Sequence, residues 1–147
     1  MDKVYVEATY KSLNKLNEEL CGDRVEIVKN DDSYFVVLSD GLGSGVKANI
    51  LSTLTSKIIS TMMFQGASIE DTVETIVHTL PVCSVRKVAY STFMILQISY
   101  DGNAYLVEFD SPGCIFVRDG RLMNIEYNYR SIAGKEIKEA HFKVKPN

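Results

Sequence analysis

The order of the predicted elements indicates an α+β fold. Strand-like segments come first, two amphipathic helices follow, and alternating apolar segments separated by Asp-Gly pairs fill the second half. A parallel sheet would need strand and helix to alternate regularly, whereas strands, helices and then strands is an α+β order. We therefore expect antiparallel sheets packed against a helix pair, within a single domain of residues 1–147.

The first half of the chain brings two aspartates to the ends of a hairpin. Alternation of apolar and polar residues predicts strands at 3–10, 25–28 and 34–39, and an Asn-Asp-Asp-Ser turn joins the last two. Asp23 precedes the second strand and Asp40 follows the third. Because the two ends of a hairpin meet, we expect Asp23 and Asp40 to lie close together at one rim of a sheet.

Two helices are predicted between the strands. Apolar residues at a spacing of four predict a helix over 44–65. Its expected buried face consists of Val46, Ile50, Leu51, Leu54, Ile58, Ile59, Met62 and Met63. Ser68 followed by Asp71 is a helix-start signal, and Pro81 ends the second predicted helix, over 69–80.

The second half is predicted to be an antiparallel meander. Asp101-Gly102 and Asp119-Gly120 stand between alternating apolar runs, which is a strong signal for hairpin turns. The predicted strands cover 89–100, 104–110, 114–118, 121–127 and 141–145.

Composition argues against several classes of protein. Hydrophobic residues make up 46% and charged residues 24% of the chain, and the net charge of −3 gives no basis for binding nucleic acid or an anionic membrane. Three scattered cysteines, Cys21, Cys83 and Cys114, form no C-x-x-C pair, so neither a disulfide framework nor a zinc site is indicated. The N-terminus resembles no leader peptide, and no apolar run reaches the ~20 residues of a membrane helix. We expect a cytoplasmic protein that binds neither nucleic acid nor membrane.

The glycine-rich stretch LSDGLGSGVKA, at 38–48, is the main candidate for a functional site. A phosphate-binding Walker loop would need Lys-Ser or Lys-Thr after its last glycine, and a dinucleotide fingerprint would need glycine in place of Val46. A third interpretation is a metal site in which the Asp40 carboxylate and the Gly41 carbonyl are ligands. The structural alternative is a simple Asp-Gly turn with Ser44 as the helix cap.

Asp23 favours the metal interpretation. Two carboxylates held close together repel each other, and a divalent cation between them removes that repulsion. For Asp23 alone, a solvated acid in a Gly-Asp turn remains the alternative.

These residues together resemble a known family. The chain resembles a metal-dependent protein phosphatase of the PPM class, in the stage II sporulation protein E branch found in bacteria. The resemblance rests on Gly22-Asp23, on the LSDGLGSG block and on YSTF at 90–93. The resemblance implies an αββα sandwich with two Mn²⁺ or Mg²⁺ ions at Asp23, Asp40 and the Gly41 carbonyl. It also implies that an ion-activated water, and no side chain, attacks a phosphoserine or phosphothreonine of a regulatory protein. Thr92 would support the site by hydrogen bonding, and the ordinary preference of threonine for strands explains its presence equally well.

The resemblance also implies that a part is missing. The family carries further metal-binding aspartates in a C-terminal segment of the form SDG-x-x-D, which has no match here. We expect a shortened domain whose uncovered edge invites pairing of two copies, and whose own activity is an open question. The alternative function is a non-catalytic regulatory module that keeps the phosphatase fold and binds a protein partner.

Other polar residues are weaker candidates. His78 has no partner within reach in the sequence, so a partly exposed structural histidine is favoured there. His141 lies in a charged terminal strand and gives little reason to expect a function. Arg86-Lys87 would either meet a substrate phosphate or belong to a solvated loop.

Overall fold

Six antiparallel strands form the main sheet of the computed structural model, which describes residues 3–80 and 91–146. The strands are β1 (Asp23–Lys29), β2 (Ser33–Gly41), β3 (Ser91–Ser99), β4 (Asn103–Phe109), β7 (Asn128–Ile132) and β8 (Lys135–Lys143). Their order in the sheet is β1-β2-β3-β4-β8-β7. Two short strands, β5 (Val117–Arg118) and β6 (Arg121–Leu122), form a separate two-stranded sheet.

Two helices cover one face of the main sheet. They are α1 (Gly45–Phe64) and α2 (Ile69–Thr79), and the predicted α+β class with antiparallel sheets and a helix pair is confirmed. The core between the helices and the sheet includes Phe35, Val37, Ile59, Met63, Val73, Ile76, Phe93, Ile95, Val107, Phe109 and Ile137. Neither helix in the described part of the chain is both long and apolar enough to cross a membrane.

Helix α2 begins as the sequence predicts. The Ser68 side chain accepts a hydrogen bond from the Asp71 amide at 3.1 Å, which satisfies a donor in the first turn of α2. On the helix surface Glu70 forms an ion pair with Arg130 of β7, and Arg130 also contacts Glu139 of β8 at 2.8 Å. These contacts hold α2 over the β8-β7 side of the sheet. Pro81, the predicted helix terminator, lies outside the described residues.

The predicted buried face of α1 is partly wrong. Leu51, Ile59 and Met63 are buried as expected, but Val46, Ile50 and Leu54 are 62%, 51% and 47% exposed. Small and hydroxyl-bearing residues face the sheet instead, namely Ala48, Ser52, Thr55, Ser56 and Ser60. The reason is close packing of α1 on the sheet, where short side chains fit and their hydroxyls donate to backbone carbonyls, as Thr55 does to Leu51 at 2.8 Å.

The predicted strand at 3–10 is also wrong. The Val4 amide donates to the Tyr100 carbonyl at 2.8 Å, yet residues 3–10 form no strand ladder. Tyr5 packs edge-on against Tyr34 and remains 76% exposed. The alternating pattern here reflects side chains that rest on the outer face of the sheet, without the continuous backbone pairing that defines a strand.

The second half contains the predicted Asp-Gly turns but differs in its strands. Gly102 and Gly120 adopt positive φ at the β3-β4 and β5-β6 turns. The strands predicted at 114–118 and 121–127 shrink to two residues each, while β7 was missed and β8 is longer than the predicted 141–145. Ala133-Gly134 joins β7 to β8, with φ values of 49° and 76°. An Ala-Gly pair is a weaker turn signal than Asp-Gly, which explains why the sequence did not predict this hairpin.

The outer face of the main sheet, opposite the helices, is only partly covered. Cys114 lies beside Met94, and the Phe116 ring packs edge-on against Phe142, so the segment after β4 covers the middle of this face. On the β1-β2 side, Ile27 and Leu38 are 41% and 36% exposed.

Candidate metal centre

Asp23 and Asp40 are directly paired across β1 and β2. Asp23 is the first residue of β1, and the register that pairs it with Asp40 continues to Lys29 opposite Tyr34. Residues opposite each other in an antiparallel pair have their side chains on the same face, so the two carboxyl groups share the outer face at one rim. The prediction that the hairpin brings these aspartates together is confirmed.

The pairing changes the acidity of one carboxyl group. The pKa of Asp40 is raised above its ordinary value, first by partial burial and then by repulsion from the Asp23 carboxylate. A hydrogen bond between the two carboxyl groups acts in the same direction, because it requires one of them to hold a proton. A cation between the two groups would remove both the repulsion and the need for that proton.

A small cavity opens beside the two carboxyl groups. It has a volume of about 130 Å³ and is lined by Asp23, Leu38, Asp40, Thr92, Phe93, Ser111 and Pro112. A water molecule takes up roughly 30 Å³ in the liquid, so this volume corresponds to a few waters or a hydrated ion. Apolar side chains and carboxylates therefore meet at a site of the right size for small, oxygen-seeking ions.

Thr92 lies where the sequence placed it. It is the cross-strand partner of Asp40 on β3, and it lines the cavity. Three neighbouring strands thus place Asp23, Asp40 and Thr92 side by side at one rim of the sheet.

Gly41 has a structural role that the sequence analysis did not identify. A side-chain Cβ at position 41 would lie 2.0 Å from the Ala48 carbonyl oxygen, so only glycine lets β2 approach α1 this closely. The Gly41 amide donates to the Gly22 carbonyl at 2.9 Å. Gly41 is not among the residues that line the cavity, and its carbonyl as a metal ligand stays a prediction.

Ser44 lies at the N-cap of α1, as the turn interpretation expects, but its side chain makes no capping hydrogen bond. Its hydroxyl donates to a Glu18 carboxylate oxygen at 3.1 Å. The motif is therefore a tight connection between β2 and α1 that leaves the Asp40 side chain at the rim.

Ser111 is a cavity residue that sequence reasoning missed. Its hydroxyl oxygen is buried and has no hydrogen-bond partner among the described residues. The preceding residue, Asp110, has a φ of 49°, a left-handed conformation that is uncommon outside glycine and turns the chain sharply after β4. The sequence offered a signal, because Ser-Pro directly follows the strand predicted at 104–110.

Several weaker candidates lie away from this rim. His78 is exposed in the last turn of α2, and the exposed His141 stacks on the Tyr105 ring with centroids 4.4 Å apart. Arg86-Lys87 lies outside the described residues. Within residues 3–80 and 91–146, no group of three or more histidines, cysteines, aspartates and glutamates is arranged to hold a metal ion. The Asp23–Asp40 pair is thus an incomplete ligand set by itself.

A family model matches most of the chain. The model for stage II sporulation protein E (SpoIIE) matches residues 30–136, which include Asp40, Thr92 and Ser111. A comparison with curated protein sequences found no match.

Solved structures share the fold. The PP2C phosphatase domain of SpoIIE from Bacillus subtilis, with a fragment of its regulatory domain, superposes with a TM-score of 0.76 at 19% identity over 92% of this chain. RsbX in complex with magnesium gives 0.65 at 20% identity over 92%, and the RsbU and RsbW domains of a Mycobacterium tuberculosis protein give 0.71 at 14% over 90%. This chain spans 41%, 66% and 39% of those three chains, respectively.

Proposed function

Because the chain belongs to the stage II sporulation protein E family, we propose that it is part of a metal-dependent phosphatase that hydrolyses phosphoserine or phosphothreonine. The observation that carries the proposal is the Asp23–Asp40 pair, which lies beside a small cavity and which the sequence predicted from its motif. A metal site would explain why two acids are held together where partial burial and mutual repulsion raise the pKa of Asp40.

The donor atoms at this rim fit a hard divalent cation. Carboxylate, hydroxyl and backbone carbonyl oxygens are the ligands that Mg²⁺ and Mn²⁺ prefer, and the described residues that line the cavity include no cysteine or histidine. Asp23 and Asp40 would hold the ions, with the Gly41 carbonyl as a further ligand. RsbX, which shares the fold, was solved in complex with magnesium, which supports a divalent ion here as well. We propose two such ions, Mn²⁺ or Mg²⁺, in the complete domain.

The ions would supply an activated water for attack on phosphorus and neutralise charge on the phosphoryl group. The residues of the chain have supporting tasks. Asp23 and Asp40 would bind and position the ions, Thr92 would support Asp40 by hydrogen bonding from the neighbouring strand, and the Leu38 side chain would limit access of bulk water to the cavity. The proposal requires no side-chain nucleophile.

We propose a phosphorylated regulatory protein as the substrate, in keeping with the family. The cavity itself is too small to enclose a phosphopeptide, so the peptide would lie across the rim with only its phosphoryl group near the carboxylates.

Phosphate release from a phosphoserine peptide tests the proposed activity. We expect Mn²⁺-dependent release by the natural full-length protein that contains these residues, and loss of that release in Asp40→Asn. The 147-residue chain shows in the same assay whether these residues suffice. A Mn²⁺-dependent rate that is equal in the parent and in Asp40→Asn would contradict the proposed role of this site.

We also propose that two copies pair through β1. This strand lies at one edge of the main sheet. The hydrogen bond from the Gly41 amide to the Gly22 carbonyl shows which backbone groups of β1 are directed at β2 and which are directed away from it. Backbone groups of Val25 and Ile27 therefore point towards the open edge, whereas the Asp23 amide donates to the Cys21 sulfur at 3.4 Å. In an antiparallel pair centred on Val25, Arg24 of one copy lies opposite Glu26 of the other, so the charges are complementary.

A further inference from the structure

The Ser111 hydroxyl is the one cavity group whose arrangement the proposed metal site does not explain. Its oxygen is buried and lacks a hydrogen-bond partner among the described residues, and Ser111 lines the same cavity as Asp23 and Asp40. A buried hydroxyl without a partner costs stability unless a ligand or an ordered water completes it. Its position beside two carboxylates indicates what kind of ligand would do so.

The backbone around Ser111 is held in an unusual conformation. Asp110 has a φ of 49°, and this left-handed turn directs the chain over the rim immediately after β4. Pro112 follows, which restricts Ser111 to extended conformations, and Pro112 itself forms part of the cavity wall. Left-handed backbone is uncommon at residues other than glycine, and aspartate is one of the residues that adopt it most readily. The turn and the proline together fix the hydroxyl beside the cavity.

The chemistry of the ligand follows from what Ser111 can offer. A serine hydroxyl donates one hydrogen bond and carries no charge, so it adds no repulsion towards an anion. Asp23 and Asp40 would attract cations, and a phosphoryl group bound at those cations would present negatively charged oxygens to the surrounding donors. Hydrogen bonds to charged oxygens are about twice as strong as those between neutral groups.

We propose that Ser111 is a substrate-binding residue whose hydroxyl donates a hydrogen bond to a phosphoryl oxygen of the substrate. The inference rests on the proposed phosphatase function. It adds a contact to the substrate from the loop after β4, on the side of the cavity opposite β1. Ser111 thereby binds the phosphoryl group and leaves ion binding to the aspartates.

Inorganic phosphate is the probe that separates these two tasks. We would titrate Mn²⁺ into the 147-residue chain and then follow phosphate binding to the Mn²⁺-loaded protein by the broadening of the ³¹P resonance. Ser111→Ala should weaken phosphate binding about tenfold and leave the Mn²⁺ affinity unchanged. Ser111→Thr keeps a hydroxyl and should bind phosphate within a few-fold of the parent. Ser131→Ala, an exposed serine on β7, is the matched control and should behave as the parent.

Thermal unfolding without metal distinguishes a binding role from a structural one. If the Ser111 hydroxyl serves to bind a ligand and forms no hydrogen bond without one, Ser111→Ala should leave the melting temperature unchanged or raise it, because a buried unpaired polar group is removed. A lowered melting temperature would overturn the inference in favour of a structural role, including the case where Ser111→Ala fails to fold.

The remaining outcomes are equally decisive. Equal phosphate affinity in the parent and Ser111→Ala, weakened Mn²⁺ affinity in Ser111→Ala, or a Mn²⁺-loaded parent that binds no phosphate would each overturn the role of Ser111 while leaving the metal site intact. A parent that binds no Mn²⁺ would overturn the proposed metal site in this chain, and it would also overturn the proposed role of Ser111, which depends on that site.

Discussion

Asp23 and Asp40 lie directly opposite each other at the rim of the sheet, and partial burial together with repulsion from Asp23 raises the pKa of Asp40. Burial is the larger cause and the Asp23 carboxylate the second. Folding therefore disfavours the charged form of Asp40, unlike the usual case of a surface acid with a cationic partner. Two of our predictions follow from this relationship.

Asp40→Asn should not destabilise the metal-free chain. The amide keeps the shape of the side chain and removes its repulsion with Asp23, so the free energy of unfolding should stay the same or rise by about 0–1 kcal/mol at neutral pH, a small range because the pair is partly solvated. Urea unfolding in the presence of a chelator measures this difference. A capping or turn role for Asp40 predicts the opposite sign, since asparagine would then weaken hydrogen bonds to backbone amides.

The same substitution has a predicted pH dependence. Because the folded-state pKa of Asp40 is raised, its contribution to stability is greatest below its ordinary pKa and is lost as the pH rises through the raised value. The gain from Asp40→Asn should therefore be absent in acid, grow as the pH passes the ordinary pKa, and level off above the folded-state pKa. Urea unfolding of both proteins across this range provides the test, and a gain that is the same at all pH values would speak against repulsion as its cause.

The close approach of β2 to α1 predicts a severe effect at Gly41. An added Cβ would lie 2.0 Å from the Ala48 carbonyl oxygen, and backbone cannot move aside as a flexible side chain can. Gly41→Ala should lower the free energy of unfolding by at least about 2 kcal/mol or prevent folding. Gly113→Ala is the control, because nothing lies within 4 Å of its added Cβ. Equal stability of the two variants would show that β2 and α1 are not so closely packed.

The pairing of residues at the rim of the sheet was predicted better than the buried face of helix α1. The Asp23–Asp40 pairing follows from hairpin geometry alone, which is why it was correct. The buried face of α1 depends on how close the helix lies to the sheet, which is a tertiary property. Ser52 and Thr55 are buried at that interface, whereas Val46 and Ile50, which were predicted there, are exposed. Periodicity identified the helix and not its orientation.

Two features of the second half of the chain, the position of Ser111 and the β7-β8 hairpin, were not predicted, for a different reason. Ser111 reaches the cavity through a left-handed turn at Asp110, and no local pattern specifies where such a turn directs the chain. The β7-β8 hairpin depends on an Ala-Gly turn, whereas the Asp-Gly turns of the β3-β4 and β5-β6 hairpins were recognised. Local signals thus located the motif, and the full set of cavity residues required the tertiary structure.

Pairing of two copies through β1 predicts a concentration-dependent dimer. Sedimentation of the parent chain should show this dimer, and Val25→Lys should abolish it because two lysines would face each other at the centre of the paired strands. Tyr129→Lys places the same charge on an exposed residue of β7, at the other edge of the sheet, and should leave the dimer intact. A parent that stays monomeric at high concentration, or a dimer sensitive only to Tyr129→Lys, would rule out the β1 edge.

The central claim, a metal site at Asp23 and Asp40, is tested most directly by the effect of Mn²⁺ on the unfolding of the 147-residue chain. A ligand that binds only the folded state stabilises it by about 2.7 kcal/mol at a hundredfold excess over its Kd, which gives a clear rise in melting temperature. We expect that rise in the parent and in Asp101→Asn, which alters a turn aspartate outside the site, and a much smaller rise in Asp23→Asn and Asp40→Asn. No Mn²⁺-dependent rise in the parent, or an equal rise in all four proteins, would contradict a metal site at this pair.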